Sequence, residues 1–458
     1  MKEKIRISQC MIVKNEEKNI CQALSWGKSM MWEQIVVDTG STDRTVDIAR
    51  EMGAKVFFFS WIDDFAAAKN YAVEKAEGDW IAFLDADEYM MPDDVEKMQM
   101  VFAQIAEKNF DGISTGWQQL NDRGEISFSG TQVRFFKNHP DIRYRRRIHE
   151  NLVSLSGRVL RFGDVVQDIS IFHTGYQTQS MEKKSGRNRK LIFEELKDHP
   201  DDYEMMGYMG DDYSSSGETE EAKLWYHRSI QHMPSRLDDS DQRSAVTFTT
   251  LLSMLADGLL ETGKAITKSD HENMRQEIEQ VYQKAVALLP KEADFDYILG
   301  RYLVSAGDAK LGAAYLEKAI EKLEAYGCNN RALLLAANLF HVYDMLSWCY
   351  FEIGEQQKCA IYAVNYLKYD KYEMGVLARL IKLLIPETGG STINTIEYEE
   401  TLGFFLKLYD HTNLKDLLFL LKAAEGAKRQ GFAAFVADRF FTKEQQVQLR
   451  LTGISEKR

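Results

Sequence analysis

The sequence predicts an α/β domain followed by an all-α domain of helical repeats. Three observations carry this. Short β-rich runs alternate with helical patterns as far as residue 178, strand signals almost vanish beyond residue 180, and in that second part a helix-turn-helix pattern recurs.

The elements follow in order. "IRISQCMIV" is apolar and β-branched and reads as a strand; a helix over 17–29 follows, then the strand "QIVVD", a helix over 42–52, the strand "AKVFFF", a helix over 66–76 and the strand "WIAFLD". Such alternation predicts a mostly parallel sheet, whose ligands sit beyond the carboxyl ends of its strands. That rule singles out Asn15 and Glu16, Asp38 to Asp43, and Asp85 to Glu88. Beyond residue 180, "MGYMGDDYSSSGETEEAKLWYHRSIQHMP" carries Gly210, Tyr213, Ala222, Tyr226 and Pro234 at the offsets of a tetratricopeptide repeat, in which small residues let paired helices approach and aromatics fill the gap. "YILGRYLVSAGDAKLGAAYLEKAI", with Gly300 and Ala319, and "MLSWCYFEIGEQQKCAIYAVNYL" read as further copies, and "VYQKAVALLP" as the end of another. Stacked repeats hold a peptide or partner on a concave face, or serve as a scaffold or dimerisation element. The expected division is 1–178 for the α/β domain, 179–375 for the repeats and 376–458 for terminal helices, whose Leu/Phe-rich faces cap the solenoid or form a homodimer seam.

Composition narrows the function classes. A chain of 458 residues with 45% hydrophobic content and 6 prolines can bury a large core and supports two or three domains. A net charge of −13 argues against nucleic acid or an anionic membrane surface as the main partner. The 5 cysteines form neither a CxxC pair nor an even framework, which fits a reduced, cytoplasmic setting. The apolar run near the N-terminus is too short for a signal peptide, and no run reaches transmembrane length.

The most telling stretch is "WIAFLDADEYMMPDD", an apolar strand that ends in Asp85, Asp87, Glu88 and then Asp93. A strand closing on Asp-x-Asp places carboxylates beside a divalent cation, and Mg²⁺ in phosphate chemistry takes one or two carboxylates with substrate oxygens and water. The alternative is a solvated acidic turn. For Asp93 and Asp94, Pro-Asp-Asp ahead of "VEKMQMVF" reads instead as a helix start.

"CMIVKNEEKNI", "IVVDTGSTDRTVDIA" and "FLDADEY", in that order and spacing, resemble the inverting glycosyltransferases of family 2, which have the GT-A fold. The resemblance covers residues 5–178, and "DDFAAAKNYAVEKA", "RIHENL", "FHTGY" and "KKSGRNRKL" narrow it. With the repeats, the chain resembles the branch that includes bacterial peptide S-glycosyltransferases of glycosylated bacteriocins. The resemblance implies a UDP-hexose donor with Mg²⁺ or Mn²⁺. It implies Asn15 and Glu16 near the uridine and Asp38 facing the uracil, with Ser41, Thr42 and Asp43 shaping the turn. It also implies Lys69 at a pyrophosphate contact and Asn70 beside it, Asp85 near the ribose, and Asp87 and His173 at the metal. Lys69 stands where the family usually has arginine, and lysine keeps the charge without the fork. On its own, a histidine ending an apolar run is more often a core residue.

Inverting transfer also needs a carboxylate to take the acceptor proton from the face opposite the leaving group. Glu150 in "RRRIHENL" stands at the matching position, its competing role being a salt bridge to Arg145, Arg146 or Arg147. Lys184 and Arg187 read as a clamp on the donor diphosphate or as a solvated helix start. The expected function is hexose transfer from a UDP-sugar to a peptide or protein side chain, cysteine ahead of serine or threonine. The alternatives are a saccharide or lipid-linked acceptor in envelope polysaccharide synthesis, and an inactive repeat-based scaffold.

Overall fold

Four apolar runs form the parallel half of one sheet because helices carry the chain back between them. The chain, seen in a computed structural model that describes residues 5–105, 108–174, 181–239, 241–262, 267–327, 332–385 and 395–451, runs through β1 (Ile7–Val13), α1 (Ile20–Ser25), β2 (Glu33–Asp38), α2 (Thr45–Glu51), β3 (Lys55–Phe58), α3 (Phe65–Glu74) and β4 (Trp80–Phe83). These match the predicted alternation, with shorter helices. Next come β5 (Glu88–Met90), α4 (Pro92–Ile105), β6 (Gly112–Leu120), β7 (Ile126–Lys137), β8 (Ile142–Arg145), β9 (Asn151–Ser154), β10 (Phe162–Asp164) and β11 (Ser170–His173).

The main sheet has nine strands in the order β3-β2-β1-β4-β7-β6-β11-β5, with β10 beside β6; β8 and β9 form a separate pair. It is mixed but mostly parallel, as expected: five of its pairings are parallel and three antiparallel. β7 runs antiparallel to both β4 and β6, because the short turn at 121–125 allows only a hairpin between β6 and β7. The two faces are filled by alternate residues of the same strand. Ile81 and Phe83 pack with Ala66, Ala72 and Val73 of α3, whereas Trp80, Ala82 and Leu84 pack with Val95, Met98 and Phe102 of α4. Parallel pairing of β1 with β2 and with β4 puts the ends of all three at one edge.

The chain packs as two compact units, Met1–His232 and Met233–Arg458. The first takes in α5 (Met181–Asp198), α6 (Tyr203–Ser215) and α7 (Thr219–His232). The second holds α8 (Gln242–Thr262), α9 (Lys268–Leu288), α10 (Asp294–Ser305), α11 (Ala309–Tyr326), α12 (Leu333–Ala337), α13 (Leu339–Ile353), α14 (Gln356–Tyr369), α15 (Met374–Leu384), α16 (Thr395–Phe405), α17 (Leu414–Gly426), α18 (Gln430–Phe440) and α19 (Lys443–Leu451). Among the described residues no helix is long and apolar enough to cross a membrane.

Three helical hairpins, α6–α7, α10–α11 and α13–α14, share one design. Each turn has a glycine with positive φ, Gly217, Gly307 and Gly354, a conformation costly for other residues. Seven residues before each lies a buried small residue, Gly210, Gly300 or Ser347, and sixteen residues after that a buried partner position, Tyr226, Leu316 or Ala363. A Cβ on Gly210 would stand 2.5 Å from Tyr226 Cε1 and 2.6 Å from Cδ1. The Tyr226 ring is tethered, its hydroxyl donating to Asp211 Oδ1 at 2.8 Å. Gly210→Ala is therefore expected to cost about 1–3 kcal/mol through overpacking, read as a lower urea midpoint at constant m-value. An unchanged midpoint would show that the hairpin relaxes freely.

Candidate active site

The edge where β1, β2 and β4 end opens into a cavity of about 420 Å³. Lys14 and Glu16 line it after β1, Thr39 after β2, Asp85 and Asp87 after β4. Lys69 of α3, His149 and Glu150 of the β8–β9 loop, His173 of β11, and Arg187 and Asn188 of α5 complete the polar wall, with Ile148, Trp61 and Phe65 as its apolar part.

The acids after β4 have different fates. Glu88 is buried: its Oε1 accepts from Trp117 Nε1 at 2.8 Å and Arg134 Nη2 at 2.6 Å, and its Oε2 from the Asp85 amide at 3.0 Å. Asp93 and Asp94 lie in the first turn of α4, as a helix start requires. Asp85 and Asp87 face the cavity. Asp85 also accepts from Arg134 Nη2, at 3.3 Å. Burial works to lower the Arg134 pKa, but Glu88 and Asp85 outweigh it and the net shift is upward. Arg134 is the fixed cation beneath the acidic turn. Arg134→Met is expected to cost about 3–5 kcal/mol, because it leaves Glu88 charged, buried and without its cation; a thermal midpoint equal to wild type would refute this.

Asp87 Oδ2 lies 3.2 Å from His173 Nε2. The other ring nitrogen, Nδ1, is 2.8 Å from Gln119 Oε1, and the Gln119 amide is oriented by Nε2 donating to Leu120 O. Gln119 Oε1 only accepts, so Nδ1 carries the hydrogen. Without a cation, the Nε2 lone pair then points at a carboxylate, an arrangement that calls for a proton or a metal between them. Trp117 stacks on the imidazole, centroids 4.9 Å apart, and fixes its plane.

Lys69 is almost wholly enclosed, its side chain 5% exposed, and it pairs with Glu150 and, at 3.9 Å, with Asp85. Burial alone would lower its pKa, but the carboxylates of Glu150 and Asp85 beside it give a net rise. The expected competitors for Glu150 are engaged elsewhere: Arg146 with Asp202 and Glu204, Arg147 with Glu195 and Asp198. Arg187 is exposed as a residue, yet its guanidinium lies over Phe65 at 5.3 Å and desolvation there lowers its pKa. Among the described residues it makes no salt bridge to a carboxylate.

Three expected donor residues do not line the cavity. Asp38 is buried and caps its own turn, accepting from the amides of Gly40 and Ser41 at 3.0 and 3.1 Å. Asn15 has φ 59° and ties β1 to the Ser41–Asp43 turn, its amide donating to Ser41 Oγ and its Oδ1 accepting from the Thr42 amide. Asn70 spends both ends of its amide on the backbone of Tyr144, at 2.9 Å each. The side chain of Lys184 lies outside the described residues. Arg134 and Gln119 were not singled out by sequence reasoning, and Glu88 was singled out only as one of the acids closing β4, not as the buried partner of Arg134; a lone arginine inside "TQVRFF" is the signal that could have found Arg134.

Comparison with known proteins agrees with this architecture. Residues 8–159 match the family model described as Glycosyl transferase family 2. A TPR repeat-containing protein of Synechococcus elongatus is 31% identical over 49% of this chain and 57% of its own length. The SPbeta prophage-derived glycosyltransferase SunS of Bacillus subtilis is 26% identical over 54% of this chain and 57% of its own length. The chain thus spans somewhat over half the length of these relatives. Among solved structures, S. aureus TarS 1–349 in complex with UDP-GlcNAc is similar with 18% identity and a TM-score of 0.33, covering 61% of this chain and 92% of that one. Residues 8–159 of this chain thus carry the match to the glycosyl transferase family 2 model on a mixed sheet flanked by helices, and TPR-like helical hairpins follow it.

Proposed function

We propose that the chain transfers a hexose from a UDP-sugar, with inversion, to a peptide or protein side chain, with cysteine ahead of serine or threonine. The observation that carries the donor half is the Asp87–His173 pair, whose Oδ2 and Nε2 face each other 3.2 Å apart in the cavity, a spacing that suits two ligands of one cation. Adjacent corners of an octahedron with 2.0–2.1 Å bonds lie about 3 Å apart, close to the 3.2 Å seen here. Among the described residues no cluster of three or more His, Cys, Asp or Glu groups is arranged for a metal, so the other corners fall to diphosphate oxygens and water. Bound there, Mg²⁺ or Mn²⁺ would neutralise the departing diphosphate. Arg187 faces the same cavity, suited to grip a phosphate with its fork.

Glu150 is the proposed base. It shares the cavity with the Asp87–His173 pair and is paired with Lys69, which draws the acceptor-side carboxylate and Asp85 onto one buried ammonium. Glu16 lines the cavity where the uridine is expected. The peptide acceptor is supported by the resemblance and by the helical hairpins, which would present the acceptor or pair two subunits. Four described cysteines are free thiols, in keeping with a reducing, cytoplasmic site of action.

The test is UDP release from a panel of UDP-sugars with Mg²⁺ or Mn²⁺, with and without a cysteine-containing peptide. Peptide-stimulated, metal-dependent release from one sugar would support the reading and name the donor. Slow release without peptide stimulation would turn the search to a saccharide or lipid-linked acceptor. No release and no UDP binding would overturn the donor site and leave the scaffold reading.

A further inference from the structure

The loop that carries Glu150 is held from outside the sheet. Arg146 and His149 have φ values of 80° and 52°, left-handed conformations that non-glycine residues adopt at a cost and keep only when neighbours impose them. Here the neighbours are α5 and α6. Arg146 grips Asp202 with Nε and Nη2 at 2.9 and 3.0 Å and reaches Glu204 with Nη1. The Arg147 amide donates to Glu195 Oε2 at 2.9 Å. Ile148 is buried among Leu191, Ile192, Leu196 and Met205. The His149 ring lies flat on Tyr208, centroids 3.7 Å apart and planes within 3°. Asp202 does double duty, since it also caps α6 by accepting from the Met205 amide.

We propose that α5 and α6 belong to the transfer machinery, with Arg146 and Tyr208 as positioning residues that hold the loop 146–150 and so aim the Glu150 carboxylate. The proposal rests on Glu150 being the base. The same helix α5 that brings Arg187 to the cavity also supplies Glu195, so one rigid element ties the donor side of the site to the loop of the base. The anchoring makes the helices following the sheet a working part of the site, beyond any role in presenting an acceptor.

The experiment compares Tyr208→Ala and Tyr208→Phe in the full chain by amide hydrogen exchange over residues 145–152, together with kcat and KM for UDP release and the thermal midpoint. Tyr208→Ala should speed exchange in that segment and lower kcat about ten- to a hundredfold, the effect of a misplaced reacting group, with KM for the UDP-sugar within about twofold of wild type. Tyr208→Phe, which keeps the ring, should retain both. Unchanged exchange in Tyr208→Ala, faster exchange with unchanged kcat, or equal losses in both variants would overturn the proposal. Should Tyr208→Ala not fold, Arg146→Lys, which keeps the charge and loses the fork, is held to the same outcomes. A wild type that releases no UDP would defeat the transferase reading, while the exchange comparison would still decide whether Tyr208 holds the loop.

Discussion

Asp87→Ala is expected to abolish metal-dependent UDP release and metal-dependent UDP binding together. The substitution removes the carboxylate that faces His173 Nε2 at 3.2 Å, while the imidazole stays held by Gln119 and Trp117. Altering even the supporting partners of a metal ligand costs about 10–100-fold, so losing a ligand should lower kcat/KM by at least about a hundredfold on that scale. The fold should tolerate the change, because the backbone carbonyl of Asp87, which accepts from the Thr174 amide at 3.0 Å, is kept. Calorimetric titration of UDP in Mn²⁺ and in EDTA checks it. Wild-type turnover that survives EDTA would sink the metal reading outright.

The second large effect is expected at the base. Glu150→Gln keeps the shape of the side chain and removes its ability to take a proton, which for a general base is worth about 10²–10⁴ in rate. The size of the loss reports on the acceptor. A cysteine thiol ionises near pH 8.5 and an alcohol far above it, so with a cysteine peptide the deficit should shrink as pH rises from 7 to about 9. With a serine peptide it should stay constant. UDP binding should survive, since Glu150 lies with Lys69 rather than with Asp87 and His173. The thermal midpoint belongs in the same experiment, because among the described residues the buried Lys69 keeps only Asp85 as its carboxylate partner in this variant. Full activity in Glu150→Gln at neutral pH would dismiss it as the base.

Sequence reasoning placed the candidate site at the edge where the cavity opens, but not which of its residues face that cavity. The ends of β1, β2 and β4 were legible because an alternation of apolar runs and helical patterns leaves little freedom about where a parallel sheet binds. The fate of each acid was not. Glu88 stands one residue from Asp87, and what sends it inward is Arg134, a partner 46 residues away whose position depends on the hairpin register of β6 and β7. Asn70 and Asp38 carry the right chemistry for a ligand, yet unpaired backbone amides and carbonyls nearby claim them first. The β6–β7 hairpin itself was hard to foresee, because its outer half is rich in Ser, Gln and Gly and its β6 arm, with Gln118 and Gln119 adjacent, breaks the two-residue alternation that the β7 arm keeps. The anchoring of 146–150 was invisible for a similar reason: "RYRRR" shows five residues of mostly like charge, and only the fold supplies Asp202, Glu204, Glu195 and Asp198 to receive them.

The repeated hairpins set a rule for how such a sequence can drift. Where the first helix offers no side chain, at Gly210 and Gly300, the second brings a large one, Tyr226 and Leu316; where the first carries Ser347, the second has only Ala363. Volume is thus held by the pair, and neither position is free to change alone. Enlarging residue 210 and trimming residue 226 should each weaken the hairpin while the two together restore part of the loss, a coupling of about 0.5–3 kcal/mol for residues in contact. Substitutions along this part of the chain would then be accepted in twos, and a lone tolerated change at either position would mark a hairpin whose helices have already moved apart.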